Sequence, residues 1–286
     1  MKIIYIGSSG PLSLIPLQAL INSKYTICAI GVDEDNNSEF NIINSDSISI
    51  QSLAFDNSIP LVKLNKDFTD MDSKISLFQP DIILVSCYAR LIPQSVLSLA
   101  NVGAFNLHPS LLPLFRGPTP LFWQFREGIS DFGVTLHRMN SEFDTGNIIS
   151  QKNVEMTDGI NKYEATKLLA NTGEELILEF LRNVNKNNIH ETPQDNDLSS
   201  YQTYPAKDDY TMSASWTAKR IYNFIKGYKE SGVSFSCNVN GTKFELLDAL
   251  SYQHKPYKNM GGKKFVLENN LITFSCRSGY IQCQVK

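Results

Sequence analysis

The first part of the chain alternates short apolar runs with segments of helical periodicity, and this alternation restricts the fold most strongly. Between the runs, apolar residues recur at the three- and four-residue spacing of amphipathic helices. Strands that are apolar at every position are buried on both faces, as in parallel sheets covered by helices. We therefore predict an α/β fold with a Rossmann-like, mostly parallel sheet and helices on both faces. The apolar runs lie at 2–7, 25–32, 59–62, 82–86 and 102–107.

The rest of the chain predicts a long helix and then a smaller β-rich part. Two more strand signals precede an amphipathic helix at 162–184, and an Asn-, Asp- and Gln-rich stretch follows it. A helix at 214–228 then leads into five short strand signals separated by Gly- and Asn-containing turns, which is typical of a small barrel or sandwich. The predicted organisation is an N-terminal α/β domain at 1–184, a linker at 185–202 and a barrel-like C-terminal domain at 203–286.

Composition excludes several classes of protein. The five cysteines are scattered without metal-ligand spacing, so we expect reduced thiols and no metal site. The apolar run at 2–7 is too short for a signal peptide or a membrane span, and we expect a cytoplasmic protein without a membrane partner. The net charge is −3, but residues 203–286 carry 12 Lys/Arg and 6 Asp/Glu. This local charge of +6 indicates either a solvated surface or an affinity for RNA.

A polar segment at the end of the fifth predicted strand gives the strongest indication of chemistry. Asn106 and His108 lie two residues apart, so their side chains share one face of that strand. The carboxyl ends of parallel strands are where such sheets bind ligands. Pro109 and Pro113 prevent a continuous helix in the loop that follows. The alternative for His108 taken alone is a structural histidine.

A carboxylate follows in the turn sequence Asp144-Thr-Gly. An ordinary loop is the alternative interpretation of this turn. An aspartic protease would need two such sequences, and the chain has one.

Four pieces of the sequence follow one another: Asn-x-His-Pro-Ser-Leu-Leu-Pro at 106–113, Arg-Gly at 116–117, Gly-Val-Thr-Leu-His-Arg-Met at 133–139 and Asp-Thr-Gly at 144–146. Together they resemble the 10-formyltetrahydrofolate-dependent formyltransferase family, which includes methionyl-tRNA, amino-sugar and glycinamide ribonucleotide formyltransferases. The resemblance covers roughly residues 1–250, and it implies that 1–184 is the catalytic domain with Asn106, His108 and Asp144 as catalytic residues.

These three residue types suit the transfer of a formyl group to an amine. Attack on the formyl carbon creates a tetrahedral oxyanion, to which Asn106 and a protonated His108 would donate hydrogen bonds. Asp144 would orient His108 and raise its pKa. Directly or through water, Asp144 would also accept the proton that the amine loses.

The resemblance also implies binding residues for the donor, 10-formyltetrahydrofolate, and for the acceptor. Family members hold the pterin against the loop after the fourth strand. The alternative for Leu91 and Ile92 is simple core packing, and the alternative for Arg116 is a surface turn. The expected folate-binding residues are Tyr88, Ala89, Arg90, Leu91, Ile92, Ser110 and Leu111, and the expected acceptor-binding residues are Ser8, Ser9, Gly10 and Arg116.

The acidic stretch at 33–46 bears on the identity of the acceptor. It has five acidic residues and no Lys or Arg, where the tRNA-acting members carry a basic loop. Because RNA phosphates would be repelled there, we expect a small amine, the amino group of a nucleotide-linked sugar. Methionyl-tRNA formyltransferase and an inactive folate-binding paralogue stay open as alternatives, as does assembly into a homodimer.

Overall fold

The computed structural model describes residues 1–33, 48–65, 70–184, 188–255 and 264–286, and in it the chain divides into two compact units. The first unit comprises Met1–Pro118, Phe132–Val154 and Thr166–Tyr201. The second comprises Thr119–Asp131, Glu155–Ala165 and Gln202–Lys286. Of the acidic stretch at 33–46, which bears on the identity of the acceptor, only Asp33 is among the described residues.

The first unit is built on a seven-stranded sheet with the order β3-β2-β1-β4-β5-β6-β7. Neighbouring strands from β3 to β5 are parallel, whereas β6 runs antiparallel to β5. The strands are β1 (Lys2–Gly7), β2 (Thr26–Asp33), β3 (Leu61–Leu64), β4 (Ile82–Ser86), β5 (Gly103–His108), β6 (Asp131–Arg138) and β7 (Ile148–Glu155). The helices are α1 (Pro11–Ile21), α2 (Ile50–Asp56), α3 (Met71–Ser76), α4 (Gln94–Leu97) and, for most of its length, α6 (Lys162–Val184).

The two faces of this sheet bury different side chains, because successive strand residues point to opposite sides. On one face, Ile4, Ile83 and Ala104 join residues of α3 and α4 in one apolar cluster. On the other face, Phe105 packs against Phe180 of α6 with 4.4 Å between the ring centroids. The expected Rossmann-like α/β fold with helices on both faces is thereby confirmed.

The second unit has a six-stranded sheet with the order β11-β12-β13-β10-β9-β8, and two helices. Phe122 contacts Phe224 and Tyr228 at 5.5 and 5.3 Å between ring centroids, so the two helices share an aromatic core. Closure of the sheet into a barrel stays a prediction. The elements are α5 (Pro120–Glu127), β8 (Thr211–Ser213), α7 (Ala218–Tyr228), β9 (Phe235–Val239), β10 (Thr242–Gln253), β11 (Phe265–Glu268), β12 (Leu271–Ser275) and β13 (Tyr280–Val285).

The differences from the sequence-based expectations are local. The helical segment expected between the apolar runs at 25–32 and 59–62 begins at Ile50, because Ser49 caps it by accepting a hydrogen bond from the Ser52 N–H. The helix expected from residue 214 begins at Ala218, because Thr217 caps it in the same way. Two short elements, α5 and β8, were not anticipated. In the part of the chain that is described, no helix has the length and hydropathy to cross a bilayer.

The stretch expected as a linker, 185–202, is engaged with the first unit where it is described. Ser200 accepts a hydrogen bond from the Phe115 N–H through its side chain and from the Arg116 N–H through its carbonyl. Residues 188–201 therefore form part of the first unit rather than a free connection. The domain boundaries themselves stay a prediction.

We predict that Phe105→Ala lowers the free energy of unfolding of the first unit by about 3–5 kcal/mol. Phe105 is fully buried against Phe180, so truncation removes apolar contact and leaves a cavity. Phe55→Ala is a matched control, since Phe55 is 84% exposed, and it should change stability by less than about 0.5 kcal/mol. Urea unfolding measures both variants, and equal effects would contradict the assignment of Phe105 to the core.

Candidate active site

β5 delivers two polar side chains to one side of the sheet. Asn106 and His108 alternate with the buried Phe105 and Leu107, and so they follow the opposite face of the strand. The Asn106 Nδ2 lies 3.3 Å from Oδ1 of Asp144, and the His108 Nδ1 lies 3.5 Å from the same oxygen. The structure thus brings the three predicted catalytic side chains together around one carboxylate.

Asp144 is buried at the centre of this cluster. Its φ of 56° is left-handed, a conformation that Asp adopts more readily than most residues. Its Oδ2 accepts a hydrogen bond of 2.9 Å from the Gly117 N–H. Burial alone would raise the pKa of Asp144, but His108, His137 and this N–H together hold the pKa well below its usual range. The carboxylate is therefore ionised at neutral pH.

His108 is held between two acceptors. Its Nε2 lies 2.8 Å from the Phe115 carbonyl oxygen, which can only accept, so Nε2 carries the proton. Burial lowers the pKa of His108 and outweighs the opposing effect of Asp144. The expected effect of Asp144, which raises the pKa of His108, is therefore present, but the net downward shift disfavours the protonated ring. The Nδ1 of the ring lies towards Asp144.

A second buried imidazole, His137, was missed as a site residue. β6 pairs antiparallel with β5 and places His137 opposite Asn106. The His137 Nδ1 donates to the Arg138 carbonyl over 2.9 Å, so its Nε2 can accept from the Asn106 Nδ2 at 3.2 Å. The same Nε2 lies 3.4 Å from Oδ1 of Asp144. His137 thus helps to orient the amide that faces the carboxylate.

The loop after β5 is held against β6 by hydrogen bonds and close packing. The side chain of Ser110 is fully buried and donates to the Leu114 carbonyl, while the Thr135 hydroxyl donates to the Ser110 carbonyl. Leu111 covers Gly133 so closely that a Cβ there would lie 2.3 Å from its Cδ2. The Ser110 side chain is therefore engaged inside the loop and that of Leu111 packs on β6, while folate binding by these two residues stays a prediction.

Arg116 is buried rather than presented to solvent. Its Nε and Nη2 donate to Oε1 of Gln194 over 3.1 and 2.7 Å, and its Nη2 also donates to Oδ1 of Asn196 over 2.9 Å. The alternative of a surface turn does not hold, whereas acceptor binding by Arg116 stays a prediction. The guanidinium is occupied in holding residues 194–196 against the loop.

The loop after β4 combines core and accessible side chains. Ile92 is fully buried in the apolar cluster, so the alternative of core packing holds for it, whereas Leu91 is 37% exposed. Arg90 forms an ion pair of 2.9 Å with Asp33 at the end of β2. Leu91 thus presents apolar surface from this loop, while Ile92 does not.

Two buried hydroxyls at the carboxyl ends of adjacent strands have no hydrogen-bond partner among the described residues: the Tyr88 Oη after β4 and the Ser8 Oγ after β1. Burial, with a contribution from Asp33, raises the pKa of Tyr88 to about 12, so the phenol stays a donor. Buried hydroxyls of this kind are suited to the polar atoms of a ligand. This fits a folate cosubstrate at the sheet edge.

The neighbours of Ser8 are engaged in backbone structure. The Ser9 Oγ accepts from the Ile50 N–H at 3.3 Å, and the Gly10 carbonyl accepts from the first turn of α1.

Within the described ranges, no group of three or more His, Cys, Asp or Glu side chains is placed to hold a metal ion.

Residues 1–181 match the family model described as formyl transferase. The chain belongs to the formyl transferase family. The resemblance indicated by the sequence motifs is thus confirmed, and the protein is an N-formyltransferase. A methionyl-tRNA formyltransferase of Syntrophomonas wolfei is 29% identical over 248 residues, which cover 86% of this chain and 78% of the relative.

Two solved structures share the fold of this formyltransferase over its whole length. WlaRD, a sugar 3N-formyl transferase crystallised with dTDP and 5-N-formyl-THF, superposes with a TM-score of 0.72 at 20% identity and covers 100% of this chain and 97% of its own. An N-formyltransferase of Helicobacter canadensis in complex with folinic acid and dTDP-3-aminofucose gives 0.73 at 18% identity, with coverages of 100% and 99%.

We predict that His108→Ala and Asp144→Ala each reduce formyl transfer by about 100-fold or more while leaving the formyltransferase folded. Each change removes a group from the polar cluster at the end of β5. Release of tetrahydrofolate from 10-formyltetrahydrofolate measures turnover, and circular dichroism checks the fold. His190→Ala, at an exposed histidine of the first unit, is the control. Near wild-type turnover in either site variant would count against these assignments.

The depressed pKa of Asp144 also predicts a pH-dependent stability. Because this pKa is lower in the folded protein than in the unfolded chain, the ionised carboxylate stabilises the fold above pH about 4. That contribution is lost as the pH falls. The difference in unfolding free energy between wild type and Asp144→Asn should therefore shrink between pH 7 and pH 3 in urea titrations. A difference that stays constant would show that Asp144 is not held ionised.

Proposed function

We propose that this formyltransferase transfers the formyl group of 10-formyltetrahydrofolate to the primary amine of a nucleotide-linked amino sugar. The cluster of Asn106, His108 and Asp144 carries the proposal for the reaction. The unpartnered hydroxyls of Ser8 and Tyr88 support a ligand with polar groups at the same edge of the sheet. The negative charge of the first unit supports a nucleotide-linked sugar, rather than tRNA, as the acceptor.

In the proposed mechanism the neutral amine attacks the formyl carbon, forming the new C–N bond and a tetrahedral oxyanion. The Asn106 amide donates to the oxyanion. The proton of the new ammonium group passes, directly or through water, to the pair formed by Asp144 and the Nδ1 of His108. The C–N10 bond then breaks, N10 takes up a proton from this pair, and the products are the formamide and tetrahydrofolate.

The first unit, which holds the cluster, is acidic. It has 12 Lys/Arg and 18 Asp/Glu, a net charge of −6. An acceptor stem carries many closely spaced phosphates, so binding it against this unit would be electrostatically unfavourable. A nucleotide sugar carries two phosphates and encounters much less repulsion.

The second unit is less basic than residues 203–286 alone suggest. With Thr119–Asp131 and Glu155–Ala165 included, it has 14 Lys/Arg and 11 Asp/Glu, a net charge of +3. Several of its cations are paired inside the unit: Lys226 and Lys229 with Asp248, Lys219 with Asp158, and Arg220 with Glu127. These pairs support the interpretation of the positive charge as a solvated surface.

A second candidate is methionyl-tRNA formylation. The observation that favours it is the name of the relative from Syntrophomonas wolfei, which aligns with 86% of this chain. In that case the net charge of +3 on the second unit would contribute to tRNA binding.

We predict that the purified enzyme formylates a dTDP-linked amino sugar at least about 100-fold more efficiently than initiator methionyl-tRNA, a difference of roughly 3 kcal/mol in transition-state free energy. Both acceptors are assayed with the same supply of 10-formyltetrahydrofolate, and kcat/KM is compared. Asp144→Ala with each acceptor is the control for uncatalysed transfer.

Three outcomes are distinct. Preference for the sugar supports the proposal, and preference for the tRNA replaces it with the second candidate. Binding of folate without turnover of either acceptor, or of a wider panel of amines, would indicate an inactive folate-binding paralogue.

A further inference from the structure

Gln194 connects two separate parts of the candidate active site. Its Nε2 donates to the carbonyl oxygens of Asp144 and Gly146, at 2.8 and 2.7 Å. Its Oε1 accepts two hydrogen bonds from the Arg116 guanidinium. One amide group therefore joins the turn that carries the carboxylate to the loop after β5.

The contacts of Gln194 flank a hydrogen bond that the Asp144 carboxylate accepts. The N–H of Gly117, next to Arg116, donates to Oδ2 of Asp144 over 2.9 Å. Gln194 is hydrogen-bonded to Arg116, the residue before Gly117, and to the main-chain carbonyl of Asp144, whose side chain accepts the hydrogen bond from Gly117. Movement of either part would lengthen the Gly117 contact and shift Asp144 relative to His108.

The segment that carries Gln194 also supports the histidine. The Ser200 Oγ accepts from the Phe115 N–H over 2.8 Å, and the carbonyl of the same Phe115 accepts from the His108 Nε2. The left-handed backbone of Phe115, with φ of 58°, needs such support, because a bulky residue rarely adopts it. Residues 194–200 thus contact the neighbours of both catalytic groups.

We propose that Gln194 is a positioning residue for formyl transfer, which sets the distance between the Asp144 carboxylate and the His108 ring by linking the Asp144 turn to the Arg116 loop. It does not contact the reacting atoms and acts through Asp144. The inference rests on formyl transfer at this site and is independent of the acceptor.

Two variants distinguish the contact of Gln194 with Arg116 from its contacts with the carbonyls of Asp144 and Gly146. Gln194→Ala removes all of these hydrogen bonds, whereas Gln194→Glu keeps an acceptor for Arg116 but cannot donate to the two carbonyls. Both should reduce kcat by roughly 10- to 100-fold, since small displacements of catalytic groups have such effects. The KM for 10-formyltetrahydrofolate should change less than about threefold. Turnover is measured with the dTDP-linked amino sugar and with methionyl-tRNA.

The matched controls lie in the same unit. Gln18→Ala removes a partly exposed glutamine whose side-chain amide bonds only Asn22 among the described residues, and it should leave kcat unchanged. Asn196→Ala removes one acceptor from Arg116 but keeps every Gln194 contact, so kcat should stay within about threefold of wild type.

A spectroscopic readout needs no acceptor and so is independent of the proposed function. The chain has four histidines, whose ring nitrogens can be followed by NMR in protein labelled with ¹⁵N-histidine. The His108 signals should move in both Gln194 variants, while the signals of His254 in the second unit should stay in place. This result does not depend on turnover with either acceptor.

The proposal is overturned if folded Gln194 variants keep wild-type kcat and unchanged His108 signals. It is also overturned if Asn196→Ala lowers kcat as much as Gln194→Ala. Failure of both Gln194 variants to fold, with Asn196→Ala folded, would make Gln194 a structural residue only.

Discussion

The buried carboxylate of Asp144 is the interaction on which the rest of the site depends. A charge that is 9% exposed needs compensating partners, because burial disfavours its ionised form. The structure supplies the Gly117 N–H, the Asn106 amide and two imidazoles. These partners come from β5, β6 and the loop between them, so a single charge requires three parts of the chain to keep a fixed relation. The carboxylate is therefore a candidate catalytic group that also holds these three parts of the chain together.

Some of this arrangement follows directly from sequence. The fully apolar runs predict buried parallel strands, and the two-residue spacing of Asn106 and His108 predicts a shared face at a strand end, which is where both are found. These inferences succeed because they depend only on local periodicity. The start of α2 at Ile50 depends on one capping hydrogen bond, and periodicity alone does not locate such a boundary.

The remaining features depend on non-local register. His137 enters the site because β6 pairs antiparallel with β5 and sets it opposite Asn106, and nothing in the spacing of the two strands specifies that partner. For Arg116, the family resemblance predicts a role in binding the acceptor. Its actual partners, Gln194 and Asn196, lie 78 and 80 residues away, in a stretch whose polar composition predicted a linker. Composition describes solubility but does not identify hydrogen-bond partners.

The lowered pKa of His108 affects how charge is distributed in the site. A permanently protonated ring would offset the charge of Asp144 and leave the carboxylate a weaker attraction for a developing ammonium group. Because burial lowers the pKa of His108 while Asp144 stays ionised, the proposed mechanism leaves the negative charge of Asp144 available to the ammonium group that forms on the attacking amine. In that mechanism the proton of the ammonium group passes to the pair formed by Asp144 and His108, whose Nδ1 lies 3.5 Å from Oδ1 of Asp144. Burial of the histidine and ionisation of the aspartate would thus favour the same proposed step, the removal of a proton from the amine that has attacked.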